Sequence, residues 1–310
     1  MPVIHFLTYM NRSGSTLLAR ELDGYRDVAV SLEADLVDGF KRGTLDVRSE
    51  DDLCAFLDAL FRDEKLRAWN LDLGAVRGRL SSGPFPLRFK TMLAALLGEY
   101  FRDDPAEIYL YKSGRYYNHT GCLRKEFPGA RFVFVDRDPR AIYNSQRRTL
   151  DSRRSEPMRT DGVRFVKSYK RTQRVVRGLE GEPWFLRVRY ENLVNDRGKE
   201  IRRVLDFLGA SDAEGQGSYY SRIPAQQKPL HEHLAGDELE PERIEAWHEE
   251  LPPIELWFLQ KVLQEELVAN GYRIQAVPDL KVRELLRLLP LFWRYWRQVV
   301  FTGWARKWLR

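Results

Sequence analysis

The stretch His5-Phe-Leu-Thr-Tyr-Met-Asn-Arg-Ser-Gly-Ser-Thr-Leu-Leu-Ala-Arg20 decides how this chain folds. The apolar run Val3 to Tyr9 predicts a buried parallel strand, and Thr16 to Arg26 predicts an amphipathic helix. The turn between them is short and made of small polar residues, so the helix N-terminus is left open. Its backbone N–H groups and the positive end of the helix dipole form an anion site. Arg12 adds a cation there, and Ser13, Ser15 and Thr16 add hydroxyl donors. The turn suits a phosphate or a sulfate. It is not a Walker A loop, which needs G-x-x-x-x-G-K-[ST]. Gly14 and Thr16 fit the end of that pattern, but Ser15 stands at the lysine position and Tyr9 at the first glycine position. This argues against magnesium-dependent ATP chemistry.

A second constellation repeats the logic. Arg131-Phe-Val-Phe-Val-Asp136 is a β-rich apolar run of the kind that fills a central parallel strand. Arg137-Asp-Pro-Arg-Ala-Ile-Tyr-Asn-Ser145 follows at once, with Pro139 suited to a first helical turn. A cation at the strand end and a hydroxyl two turns along the helix would stand at the carboxyl edge of the sheet, where open α/β folds bind ligands.

Together the two motifs resemble the sulfotransferase superfamily. Arg12-Ser-Gly-Ser-Thr-Leu-Leu is similar to its 5′-phosphosulfate loop, which makes Arg12, Ser13, Gly14, Ser15, Thr16 and Leu17 expected donor-binding residues. Arg137 and Ser145 are similar to its 3′-phosphate site. The donor the resemblance implies is 3′-phosphoadenosine 5′-phosphosulfate (PAPS), with no metal. Tyr190-Glu-Asn-Leu-Val-Asn-Asp, then Phe207-Leu-Gly, resembles a further family segment. Lys228-Pro229, Trp247 and Asn270-Gly-Tyr272 resemble its C-terminal part, and Tyr190 and Lys228 match positions that contact the nucleotide. The likeness runs over roughly residues 1–275 and is nearest the tyrosylprotein and carbohydrate branches and their bacterial relatives.

The family's chemistry needs a base for the acceptor hydroxyl. Glu33, in Ser31-Leu-Glu-Ala-Asp35, lies 21 residues after Arg12, about where those branches carry their catalytic carboxylate. Asp35 and His119 stay open as alternatives. Ile108-Tyr-Leu-Tyr-Lys112 looks like the family strand that ends in a lysine near the bridging oxygen of the donor. The cytosolic branch places its histidine base two residues further on; here that position is Gly114, which favours Glu33. The resemblance thus implies Glu33, Lys112 and Arg12 as the catalytic set.

Strands are expected near Val3–Tyr9, Val28–Leu32, Ile108–Lys112, Arg131–Asp136 and Trp184–Arg189. Helices are expected near Thr16–Arg26, Asp52–Lys65, Lys90–Phe101, Asn118–Phe127, Arg140–Leu150, Gly162–Gly178, Gly198–Leu208 and Ile254–Asn270. Strands separated by helical crossovers imply a P-loop-like three-layer α/β fold, a central parallel sheet covered by helices on both faces. Ser81–Pro86, Asp151–Asp161 and Ser211–Pro241 read as loops. The last is long enough to suggest a binding segment, and such loops would shape the acceptor pocket. The expected organisation is a sulfotransferase domain over 1–278 and a separate tail over 279–310.

The chain has 310 residues, 43% of them hydrophobic, which suffices for one sizeable core. Its two cysteines, Cys54 and Cys122, form neither a metal spacing nor a disulfide framework and suit a reducing compartment. No signal peptide or membrane-spanning run is visible at the N-terminus, so a bacterial, cytoplasmic enzyme is expected. Residues 281–310 hold eight basic side chains and one acid, so the net charge of +6 is almost wholly theirs. Leu285, Leu289, Phe292, Trp296, Val300, Trp304 and Trp308 mark one helical face. A Trp-rich face opposed by arginines suits the surface of an anionic membrane, and packing on the core or on a second subunit is the other reading; nucleic acid is disfavoured. The acceptor is expected to be a hydroxyl on a saccharide, a lipid or a small molecule. The competing functions are a P-loop-like kinase and a non-enzymatic membrane- or nucleic-acid-binding protein.

Overall fold

The computed structural model describes residues 2–36, 47–114, 116–150, 157–158, 161–225, 228, 241–277, 290 and 293. The basic tail, apart from Pro290 and Trp293, lies outside the described residues, as do Pro229, most of the expected loop Asp151–Asp161, and residues 226–227 and 229–240 of the expected loop Ser211–Pro241. The chain forms two compact units, Met1–Asp136 with Leu179–Leu239, and Arg137–Gly178 with Glu240–Arg310.

The first unit is built on five strands, β1 (Val3–Tyr9), β2 (Val28–Val30), β3 (Ile108–Lys112), β4 (Phe132–Asp136) and β5 (Phe185–Arg189). All pair in parallel, in the order β2-β3-β1-β4-β5. Phe6 stands opposite both Tyr111 and Phe132, and Leu7 opposite both Lys112 and Val133. Side chains alternate across a strand, so Phe6, Tyr111 and Phe132 share one face, while Leu7, Tyr9 and Lys112 share the other. On the first face the Phe6 ring stacks on Phe132 at 4.8 Å and meets Phe127 edge-on at 5.4 Å. The Phe89–Tyr100 helix covers this face, with Phe89 against Phe127 at 6.1 Å. The Ser15–Asp23 and Arg197–Leu208 helices cover the other face. This is the expected parallel sheet with helices on both sides.

Helix ends differ from expectation for local reasons. The first helix stops at Asp23 because Gly24 caps it and Tyr25 leaves to bridge Glu214. The expected Asp52–Lys65 helix is two, Glu50–Leu60 and Glu64–Arg67, because the Asp63 carboxylate accepts the Lys65 N–H at 2.8 Å and starts a new turn. Leu73–Ser81 is a helix that the sequence reading missed, capped by Asp72, which accepts from Gly74 and Ala75. Tyr219–Arg222 forms a helical turn within the stretch read as a loop.

That turn is tied to the sheet by one buried carboxylate. Asp23 accepts the Val30 N–H and the Ser218 N–H, each at 2.9 Å, and the Arg222 guanidinium at 2.6 Å. Arg222 also donates to the Val30 carbonyl at 3.0 Å. One side chain thereby joins the end of the first helix, β2 and the Tyr219–Arg222 turn.

The second unit is helical: Pro139–Arg148, Gly162–Arg177, Glu242–Glu245, Trp247–Glu250, Pro253–Val262 and Gln264–Ala269. The single helix expected over Ile254–Asn270 is broken at Leu263. Pro139 takes the first helical position as expected, and Asp138 caps it by accepting the Arg140 N–H at 2.8 Å. The buried Arg140 pairs with Asp138, donates to Gln260 at 2.7 Å and lies 3.9 Å over the Trp247 ring. Asn270 donates to Tyr169 and Gln173, and Gly271, at φ +74°, turns the chain after the last helix.

Because Asp23 is buried and paired with a cation, Asp23→Ala should destabilise the protein by about 3–5 kcal/mol. Urea unfolding would measure this, and a loss below about 1 kcal/mol would show that the carboxylate is not the tie described.

Candidate active site

All five strands are parallel, so their carboxyl ends share one edge of the sheet. Tyr9, Val30, Lys112 and Arg189 end there, and the segments that follow them build the site. After β1 the chain turns sharply, with Arg12 at φ +74° and Gly14 at φ +92°. A non-glycine residue in the left-handed region stores strain of order 1–3 kcal/mol, which functional loops tend to carry. At Gly14 glycine is required twice over: a Cβ there would lie 2.1 Å from Cδ2 of Tyr190. Tyr190, which follows β5, is thus pressed against the loop.

The Ser15–Asp23 helix has no side-chain cap and no acid in its first turn. Its first backbone bond runs from the Leu18 N–H to the Gly14 carbonyl at 3.2 Å, so the amides of Ser15, Thr16 and Leu17 precede the helical ladder. The Leu17 side chain is buried in the core, so only its amide faces this role. Ser13 is fully buried, and its hydroxyl has no partner among the described residues. An open helix start, an orphaned hydroxyl and a nearby arginine fit an anionic group.

Lys112 projects from the end of β3 into the same place. Its ammonium donates to Thr16 Oγ1 at 3.0 Å and to the Tyr219 hydroxyl at 2.9 Å. Burial lowers the Lys112 ammonium to about 8; Lys65 and Arg12 push the same way, and the Glu33 carboxylate opposes them. Glu33 lies just past β2 and accepts Lys65 Nζ at 2.5 Å, with a third of its side chain still accessible. Burial works to raise the Glu33 carboxyl, but Lys65, Lys112 and the Tyr9 hydroxyl outweigh it and hold the group below the usual carboxylate range.

The fold therefore brings together Arg12, Ser13, Gly14, Ser15, Thr16, Glu33, Lys112 and Tyr190. The Asp35 charge acts on the buried hydroxyls of Tyr111 and Tyr116, which lie 3.2 Å apart, and Glu33 also reaches the Tyr111 hydroxyl. His119 ends the Tyr116–His119 turn, which packs through Tyr116 on the face of Phe6 rather than that of Lys112. Lys228 sits with its ammonium 5.6 Å over the Tyr220 ring. Arg137 and Ser145 belong to the second unit, where Arg137 donates to the Arg243 carbonyl at 2.5 Å and Ser145 lies on the Pro139–Arg148 helix. Sequence reasoning missed three site residues. Tyr9 had a usable signal, as the last residue of a strand that feeds the loop. Lys65 and Tyr219 had none, because their partners lie 32 and 107 residues away.

The sequence model of the Sulfotransferase family matches residues 5–214. The chain belongs to that family, and it is an enzyme of sulfuryl transfer. Among solved structures it is similar to the sulfotransferase domain of the olefin synthase of Synechococcus PCC 7002. That match has 18% identity and a TM-score of 0.52, covering 89% of this chain and 96% of that one. It is likewise similar to the sulfotransferase domain from the curacin biosynthetic pathway, at 18% identity and a TM-score of 0.56 over 89% of this chain and 99% of that one. At such identity the likeness is one of fold. No curated protein matches.

In ¹³C-lysine NMR, one side chain should titrate near pH 8, and its signal should vanish in Lys112→Arg. If Lys112 titrates instead near the ordinary value of about 10.4, the ammonium is not buried as described.

Proposed function

We propose that this sulfotransferase uses PAPS as its donor and a hydroxyl on a saccharide, glycolipid or natural product as its acceptor. One observation carries the reading: the Lys112 ammonium, hydrogen-bonded to Thr16 at the start of the first helix, stands within the electrostatic reach of Arg12 and of the Glu33 carboxylate. Cations able to take up negative charge therefore lie beside a base able to take a proton. When bound, PAPS supplies a sulfuryl group joined to a phosphate through one bridging oxygen.

Glu33 is the proposed base. Held low by Lys65 and Lys112, it is ionised throughout the neutral range and can receive the acceptor's proton. Lys112 and Arg12 neutralise the charge that develops on the leaving phosphate oxygen, the largest service a protein can render in such a transfer. The amides of Ser15, Thr16 and Leu17, with the Ser13 hydroxyl, would hold the 5′-phosphate. Arg137 and Ser145 would hold the 3′-phosphate, a task suited to the planar fork of arginine. Tyr190 and Lys228 would contact the nucleotide.

Calorimetry tests the donor. The protein should bind adenosine 3′,5′-bisphosphate far more tightly than AMP, with no added metal. Arg137→Ala should lose about 1.5–3 kcal/mol toward the bisphosphate and little toward AMP. Equal affinity of the wild type for the two nucleotides would sink the assignment.

Turnover tests the base. With a library of hydroxyl acceptors, Glu33→Gln should slow bisphosphate release from PAPS by roughly 10²–10⁴ while its affinity for the bisphosphate barely changes. In the wild type, activity should fall at the acid end as Glu33 takes a proton, below the usual carboxylate range, and at the alkaline end near pH 8 as Lys112 loses its charge. Near-normal turnover in Glu33→Gln would move the base to another residue.

A further inference from the structure

We propose that Tyr219 is a positioning residue for sulfuryl transfer: its phenol oxygen takes one Lys112 hydrogen and so fixes where the remaining ammonium hydrogen points. This rests on the reading of Lys112 as the group that meets the leaving phosphate oxygen. An ammonium has three donors and no acceptor. Thr16 Oγ1 engages one at 3.0 Å and the Tyr219 hydroxyl another at 2.9 Å, which leaves the third a single direction. The phenol is buried, with its ring 5.4 Å from Nζ, so water does not compete for the contact. Since the ammonium can only donate, the phenol accepts, and a hydrogen bond made to the charged form favours that form. The other charged and titratable groups acting on the pair are Glu33, Lys65 and Arg12 on the lysine, and Tyr100, Glu33, Asp23 and Arg222 on the phenol. Of the charges acting on Lys112, Glu33 favours its charged form, and the Thr16 and Tyr219 oxygens, which accept its hydrogens, do so too.

The phenol owes its place to the tie that also joins the end of the first helix to β2. Tyr219 opens the turn whose Arg222 is held by Asp23 and the Val30 carbonyl, while Asp23 also takes the Ser218 N–H. The guanidinium lies 6.0 Å from the Tyr219 ring. The family match ends at residue 214, before this turn, so family membership assigns Tyr219 nothing. During transfer the sulfur–oxygen bond to the phosphate breaks and its electron pair stays on the phosphate oxygen. The acceptor oxygen bonds to sulfur and its proton passes to Glu33. Lys112 keeps all its hydrogens throughout, so what matters is that it stays charged and aimed.

Tyr219→Phe keeps the ring and removes only the acceptor oxygen. The full chain is assayed in three ways: calorimetry with adenosine 3′,5′-bisphosphate, bisphosphate release from PAPS with water as acceptor, and ¹³C-lysine titration of Lys112. Bisphosphate affinity should stay within about threefold, and release should slow by roughly tenfold or more. The Lys112 midpoint should fall by about one unit or more, the worth of one hydrogen bond to a charged group. A merely structural role would lower thermal stability and leave the midpoint in place. An unmoved midpoint, or wild-type turnover, overturns the proposal. Incorporating 3-fluorotyrosine at position 219 weakens the acceptor without changing its shape, and should lower the midpoint by a smaller amount. It carries the test if Tyr219→Phe does not fold, and an unmoved midpoint there is equally fatal. A wild type that neither binds the bisphosphate nor releases it from PAPS would defeat the donor reading and the positioning role with it. A wild type that does both, beside an unaffected Tyr219→Phe, would defeat the role of Tyr219 alone.

Discussion

A buried ammonium at the end of the central sheet sets the terms for the rest of the first unit. Lys112 is nearly inaccessible, and a cation out of water is costly unless it is paired and hydrogen-bonded. Thr16, Tyr219 and Glu33 each offset part of that cost. Lys65 and Lys112 hold the Glu33 carboxylate, and Lys65 and Arg12 both act on Lys112. These cations stand beside a helix start that has no side-chain cap and no acid in its first turn. Burial outweighs the partners of Lys112, so its ammonium holds its proton less firmly than an exposed lysine.

The sheet makes that gathering possible. With β1 between β3 and β4, and every strand parallel, the loop after Tyr9, the segment after Val30 and the side chain of Lys112 emerge at one edge. The loop after β1 is shaped by its backbone and by one close neighbour: Arg12 and Gly14 both take positive φ, and the Tyr190 ring leaves no room for a Cβ at position 14. Asp23 then secures the far end of the first helix to β2 and to the Tyr219–Arg222 turn.

Several stretches that carry the family resemblance act as structural punctuation. Phe207-Leu-Gly ends the Arg197–Leu208 helix, with Gly209 at φ +76° as its cap. In the second unit, Asp138-Pro-Arg140 caps a helix and anchors Arg140 against Trp247, and Asn270-Gly-Tyr272 closes the last described helix while Asn270 ties it to Tyr169 and Gln173. Caps and buried polar ties demand particular residue types because an unpaired buried polar group costs about 1–3 kcal/mol. Motifs of this sort mark a fold even where they touch no ligand.

The sequence by itself determined the five strands and the open start of the first helix, because each is written locally, whereas Glu33, Lys112 and Arg12 were marked as a set only by the family resemblance. Apolar runs of strand length, a small polar turn before a helix, and a strand ending in lysine are properties of neighbouring residues. Helix ends were less legible, since Asp63 and Asp72 act through capping bonds that compete with the hydrophobic period. Only the tertiary structure showed what surrounds Glu33 and Asp35: Lys65 and Lys112 hold the Glu33 carboxylate, while the Asp35 charge falls on the Tyr111–Tyr116 pair, which Glu33 also reaches at Tyr111. Only the tertiary structure brought Lys65 to Glu33 and Tyr219 to Lys112. Those contacts join residues far apart in the chain, and their strength comes from burial, which no local pattern of residues encodes.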